Sequence, residues 1–162
     1  MNLNLGCPDF CNDWVCVDLQ PRDRRVIRAE AIDYLKQNPR QFQVIKAYQL
    51  IEHLPNVGDF FESAYAALHK HGELRIRTDN AEWPLFYVRL PKGIFGVGAH
   101  ASEQYRYVFS NGSLPHDGRL DHYAIFTKMH LRRYAERYGF SVVELKRVTF
   151  GARLLAVLRK EA

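Results

Sequence analysis

Hydrophobic and polar positions follow two periods along this chain. Residues 2–5 alternate at period two and predict a short first strand. Asp13-Trp14-Val15-Cys16-Val17-Asp18 predicts a second strand over 13–18, and residues 25–29 a third. A short helix over 31–38 follows. Pro39 ends it, because its ring removes a backbone donor and clashes with the preceding turn. Phe42-Gln43-Val44-Ile45-Lys46-Ala47 predicts a fourth strand over 42–47. Phe60, Phe61, Ala64 and Leu68 recur at helical spacing and predict a helix from about 57 to 70. Gly72 then supplies a break before a fifth strand over 73–78. An amphipathic helix over 127–138 takes Thr127 as its N-cap and Gly139 as its stop. Residues 141–146 and 150–158 predict two last strands of hairpin type.

Strands alternating with helices predict an α/β fold with a mostly parallel sheet. The chain reads as one domain over 1–162. One feature strains this reading. Only residues 6–12 separate the first two strands, and a parallel crossover needs a dozen residues or more. Either the first helix is reduced to a turn, or the first strand is shorter than placed. Residues 80–126 stand apart: Trp83, Phe86, Tyr87, Phe95, Tyr105, Tyr107, Phe109 and Tyr123 sit among glycines and prolines. This content predicts a packed insertion, either a substrate-side lid or a plain capping segment.

Composition changes this picture little. The 162 residues carry a net charge of +5, which suits an anionic partner without requiring one. Arg22, Arg24, Arg25 and Arg28 form the densest basic run and read as a solvated loop edge. No apolar run reaches the ~18 residues of a membrane helix. No signal peptide is evident, so the expectation is a cytoplasmic protein with no membrane partner. Cys7, Cys11 and Cys16 are an odd set, which speaks against a disulfide framework. Without a CxxC pair or a fourth thiol, no structural metal site is expected, and Cys16 reads as a buried small residue.

Ligands of open α/β sheets bind beyond the carboxyl ends of the strands. Gly6 follows the first strand and lets a ligand approach the backbone. Asp18 ends the second, and its two oxygens suit the two hydroxyls of a ribose. Glu30 and Ala31 follow the third, Tyr48 the fourth, and Thr78-Asp79-Asn80 the fifth. The set suggests a nucleoside-type ligand. The residues after Gly6 lack the further glycines of a dinucleotide loop, and no Walker loop is present.

Several blocks carry a family resemblance. Leu3-Asn4-Leu5-Gly6-Cys7 and Trp14-Val15-Cys16-Val17-Asp18-Leu19 resemble the first two motifs of class I S-adenosylmethionine-dependent methyltransferases of the type 11 group. Phe42-Gln43-Val44-Ile45, Ile51-Glu52-His53-Leu54 and Ala67-Leu68-His69-Lys70-His71-Gly72-Glu73-Leu74 are similar to its middle blocks. Phe126-Thr127 to Leu131, then Tyr138-Gly139-Phe140, are similar to its late segment. Pro8 stands where the group usually has a second glycine, and Gln43 where it often has an aspartate. The resemblance implies a Rossmann-like open sheet of seven strands, with an antiparallel C-terminal strand and helices on both faces.

It also implies S-adenosyl-L-methionine as cofactor. Gly6 and Cys7 would lie against its methionine part. Asp18, with Leu19 beside it, would hold the ribose. Glu30 and Ala31 would face the adenine, and Tyr48 the sulfonium, through the attraction of a ring for a cation. The acceptor would be an unidentified O, N or C nucleophile on a small molecule or a nucleic acid. His53 and His122, which titrate near neutral pH, are the candidate catalytic bases. Gln49, Glu52 and His53 on one helical face, with His122, resemble the metal site of small-RNA 2′-O-methyltransferases. Gln49 in place of the first glutamate removes a charge hard cations favour, and no metal is expected there. A homodimer is a further expectation. The competing reading is an inactive methyltransferase-fold protein that binds nucleic acid or a protein partner.

Overall fold

The computed structural model describes residues 1–84 and 123–161. Strands β1 (Asn2–Leu5), β2 (Val15–Asp18) and β3 (Ile27–Arg28) come first, followed by helix α1 (Ala31–Gln37) and β4 (Phe42–Tyr48). A 3-10 turn, Ile51–His53, leads to α2 (Val57–Ala67) and β5 (Leu68–Asp79). Helix α3 (Lys128–Arg137), β6 (Phe140–Val148) and β7 (Arg153–Lys160) complete the described order.

The strands form one seven-stranded sheet in the order β3-β2-β1-β4-β5-β7-β6. β1 pairs in parallel with both β2 and β4, so the strand order reverses at β1. β7 runs antiparallel to both β5 and β6. This is the expected Rossmann-like sheet with its antiparallel C-terminal strand.

The core lies on one face. Leu3, Leu5, Ile45, Ala47, Leu74, Ile76, Leu154, Ala156 and Leu158 are buried there with Leu35 of α1, Phe60 and Phe61 of α2, and Leu131 of α3. Among the described residues all three helices pack on this face. The cause is chain length. Residues 6–14 and 19–26 connect β1 to β2 and β2 to β3 as turns, too short for a helical crossover. The first helix is thus reduced to a turn, and the first strand runs its full predicted span.

The other face is polar. The strand register aligns Cys16, Asn4, Lys46 and Arg75 in one row, and Tyr48 beside Arg77 in the next. Lys46 Nζ sits 4.0 Å over the Trp14 ring. The arginine run stays at the surface, with Arg22 paired to Asp9 and Arg25 to Asp23.

Some boundaries shift. α2 ends at Ala67, and β5 begins directly at Leu68. Gly72 is therefore no helix stop: a Cβ there would lie 3.0 Å from His69 O and 3.1 Å from Gln43 O. Thr127 caps α3 as expected, accepting from the His130 backbone N–H at 3.2 Å, and Gly139 closes it at φ 82°. Of the insertion, residues 85–122 lie outside the described residues, and so does the packed segment expected there. Its described ends meet: Asn80 bridges Phe126, and Ala81 N–H donates to Phe126 O at 2.9 Å. Among the described residues no helix is long and apolar enough to cross a membrane.

Candidate functional site

A cleft of about 680 Å³ opens at the carboxyl ends of β1, β2 and β3, walled by the start of α1 and the turn after β4. That volume suits a nucleoside-sized ligand. Gly6, Asp18, Leu19, Glu30, Ala31 and His53 all line it. Convergence here is what the topology predicts, because the cleft sits where strand order reverses.

Each lining residue has a local reason for its place. Gly6 has φ 68°, in the left-handed region, and a Cβ would meet Leu50 Cδ1 at 3.3 Å. Only glycine fits there without strain. Asp18 Oδ1 accepts from the Gln20 backbone N–H at 2.7 Å, which aims the carboxylate and engages one of its two oxygens. Glu30 is the N-cap of α1: its Oε2 accepts from Asp33 N–H at 2.9 Å. The cap thus engages one oxygen of a carboxylate that also lines the cleft.

Two expected ligand contacts do not reach the cleft, and one candidate base lies outside the described residues. Tyr48 is the correction with the clearest cause. β4 runs one residue further than the pattern suggested, so Tyr48 is its last strand residue. Strand alternation then sends Tyr48 to the face opposite buried Ala47. Its ring faces the Arg77 guanidinium at 4.6 Å and Lys46 at 5.7 Å, so the chain's own cations already flank it. Cys7 does not line the cleft either; its thiol lies 3.5 Å from that of Cys11. Burial pushes the Cys7 thiol up to about 12, with the Cys11 contact adding to the shift. His122 lies outside the described residues.

The same one-residue shift puts Gln49 in the cleft. Gln49 has φ 52°, and its Nε2 donates to Glu52 Oε1 at 2.7 Å and to Asp79 Oδ1 at 3.2 Å. Two carboxylates thus fix the amide orientation and leave Gln49 Oε1 buried with no partner. An unpartnered buried acceptor is costly unless a ligand supplies the donor.

Glu52 lies behind Gln49 and is fully buried. Thr78 Oγ1 donates to its Oε2 at 2.9 Å. Burial pushes the Glu52 carboxyl up to about 7; nearby Asp79 adds to this, and the Thr78 hydrogen bond opposes it. The carboxylate is bonded by Gln49 and Thr78, an arrangement that orients Gln49 rather than presenting an open metal ligand. The sequence signal for Glu52 was its place in the middle motif block. Its burial was not readable from that pattern.

A family model described as a methyltransferase domain matches residues 9–145. The chain belongs to the methyltransferase domain family. No protein of curated function matches it in sequence. The methyltransferase fold also appears in solved structures. One is the 1,6-didemethyltoxoflavin-N1-methyltransferase of Burkholderia thailandensis with bound S-adenosylhomocysteine: TM-score 0.65, 16% identity, 99% of this chain and 71% of that one. Another is an S-adenosylmethionine dependent methyltransferase of Mesorhizobium loti: TM-score 0.65, 13% identity, 98% and 90%. A third is described as a possible exported protein from Bordetella parapertussis: TM-score 0.58, 15% identity, 99% and 62%, so this methyltransferase domain spans under two thirds of that chain. At these identities the likeness is one of fold.

Proposed function

We propose that the cleft binds S-adenosyl-L-methionine and that the domain transfers its methyl group to an O, N or C nucleophile. The observation that carries this is the convergence of Gly6, Asp18, Glu30 and Gln49 on one cleft, with Gln49 Oε1 buried and without a partner. The fit is chemical. Gln49 Oε1 would accept from the methionine ammonium, and the oxygen of Asp18 not held by Gln20 would take a ribose hydroxyl. The second oxygen of Glu30 would face the adenine amine, with Ala31 and Leu19 at its sides. The apolar wall of Val17, Ile32 and Leu50 suits the flat base.

The cofactor would supply an activated methyl on a sulfonium. The chain's part is then to hold the acceptor in line and to keep water out. Alignment of this kind is worth roughly 7–11 kcal/mol of barrier. His53 and Tyr123 line the cleft and would face the acceptor. Where that acceptor carries a proton at neutral pH, His53 would take it.

One observation favours the second reading, an inactive methyltransferase-fold protein that binds nucleic acid or a protein partner. The face of the sheet that no described helix covers presents Lys46, Arg75 and Arg77 beside Trp14 and Tyr48. Calorimetric titration separates the two readings. We expect one molecule of S-adenosylmethionine or S-adenosylhomocysteine to bind per chain. Asp18→Ala should weaken binding about tenfold or more, since a hydrogen bond to a charged group is lost, while the melting temperature stays near the parent's. Binding of neither nucleoside would remove the enzyme reading and leave the second.

A further inference from the structure

Cys7, Cys11 and Cys16 converge, although their spacing announces no metal motif. All three sulfurs lie within 4.8 Å of one another, and those of Cys7 and Cys11 are 3.5 Å apart. Around a cation with metal–sulfur bonds of about 2.3 Å, tetrahedral ligands stand roughly 3.8 Å from each other. Closing the trio onto one ion therefore needs shifts on the order of an ångström.

The absent first helix creates the cluster. Cys16 sits beside Asn4 on the face opposite the core, where no described helix covers it. The β1–β2 connection folds back there instead and brings Cys7 and Cys11 over it. That loop is braced without any metal. Pro8 O accepts from Arg22 N–H at 2.9 Å and from Asp23 N–H at 3.3 Å. Asp9 pairs with Arg22, and Arg25 stacks 4.1 Å over the Phe10 ring. Asn4 Nδ2 points a donor at Cys11 Sγ from 3.9 Å, an outer contact that would steady a thiolate ligand. Preorganisation lowers the ordering cost of binding. Cys7 and Cys11 are half-buried, so a fourth position stays open to water.

We propose that Cys7, Cys11 and Cys16 form a site for one thiophilic closed-shell cation, zinc(II) or copper(I). Soft thiolates select these ions over magnesium, calcium or manganese. The site lies outside the cofactor cleft lining and does not depend on the methyltransferase reading.

The test uses the full-length reduced chain, stripped of metal and kept anaerobic. Zinc chloride and copper(I) are titrated separately against a chromophoric chelator. We expect one equivalent of at least one metal to bind and to shield all three thiols from iodoacetamide, read by mass spectrometry. Cys11→Ser should weaken binding about 100-fold, while His69→Gln with His71→Gln should leave it unchanged. Which metal binds more tightly identifies the ion. Thiol shielding in the unaltered chain decides the matter even if Cys11→Ser folds poorly. Binding of neither metal, binding lost only with the histidines, or bound metal that leaves the thiols reactive would overturn the proposal.

Discussion

At the scale of single residues, Glu52 makes the sharpest prediction. Its carboxyl titrates near 7 in the folded chain against an ordinary value of 4.5. Below about pH 4.5 folded and unfolded chains both hold the proton. Between there and about 7 only the unfolded chain releases it, so stability falls as pH rises through that window. The whole loss is on the order of 3 kcal/mol. Glu52→Gln keeps partners for Gln49 and Thr78 and removes the titration. Urea unfolding from pH 5 to 8 should therefore flatten in this variant relative to the parent. A parent curve with no downward slope over that range would contradict the protonated folded carboxyl.

Gln49 and Tyr48 show why residue roles were only partly legible. A one-residue extension of β4 exchanges which of the two faces the cleft, because strand side chains alternate. Gly6, Asp18, Leu19, Glu30 and Ala31, expected at the cofactor, and His53, a candidate base, all line the cleft, since turn and cap chemistry is local. Cys7 does not, because where a loop thiol points depends on what the loop folds against.

At the scale of elements, local signals marked helix starts better than strand starts: α2 begins at Val57 as predicted, whereas β5 begins at Leu68 rather than at residue 73. Thr127 and Gly139 bracket α3 because capping is decided by a few adjacent residues. The end of α2 was missed by three residues, because Leu68 pairs across to Phe42 on β4 and so leaves the helix. Gly72 lies where that pairing shifts register, between the Phe42–Leu68 and Val44–Glu73 partners. Gly72→Ala should cost about 1–3 kcal/mol in urea unfolding, since two backbone carbonyls crowd the new methyl and cannot easily yield. An unchanged midpoint would mean that the β4–β5 register relaxes there at no cost.

At the scale of the whole molecule, the single core makes Phe61 the joint between helices and sheet. Its ring stacks on Tyr134 at 5.2 Å and meets Phe140 edge-on at 6.3 Å, tying α2 to α3 and β6. Phe61→Ala should destabilise by about 3–5 kcal/mol, measured by thermal or urea unfolding. A loss below about 1 kcal/mol would show that the site collapses freely or that the helices are not coupled through it.

The sequence by itself determined the alternation of strands and helices, the parallel sheet with its antiparallel last strand, and the turn residues at the strand ends. The alternation and the turn residues follow from side-chain periodicity and capping chemistry, both local, and the antiparallel last strand from the family resemblance of the motif blocks. Only the tertiary structure decided that the described helices share one face, that Gln49 rather than Tyr48 enters the cleft, and that three scattered cysteines meet. Each depends on which surfaces the folded chain brings together, and contacts between distant segments leave no periodic trace along the chain.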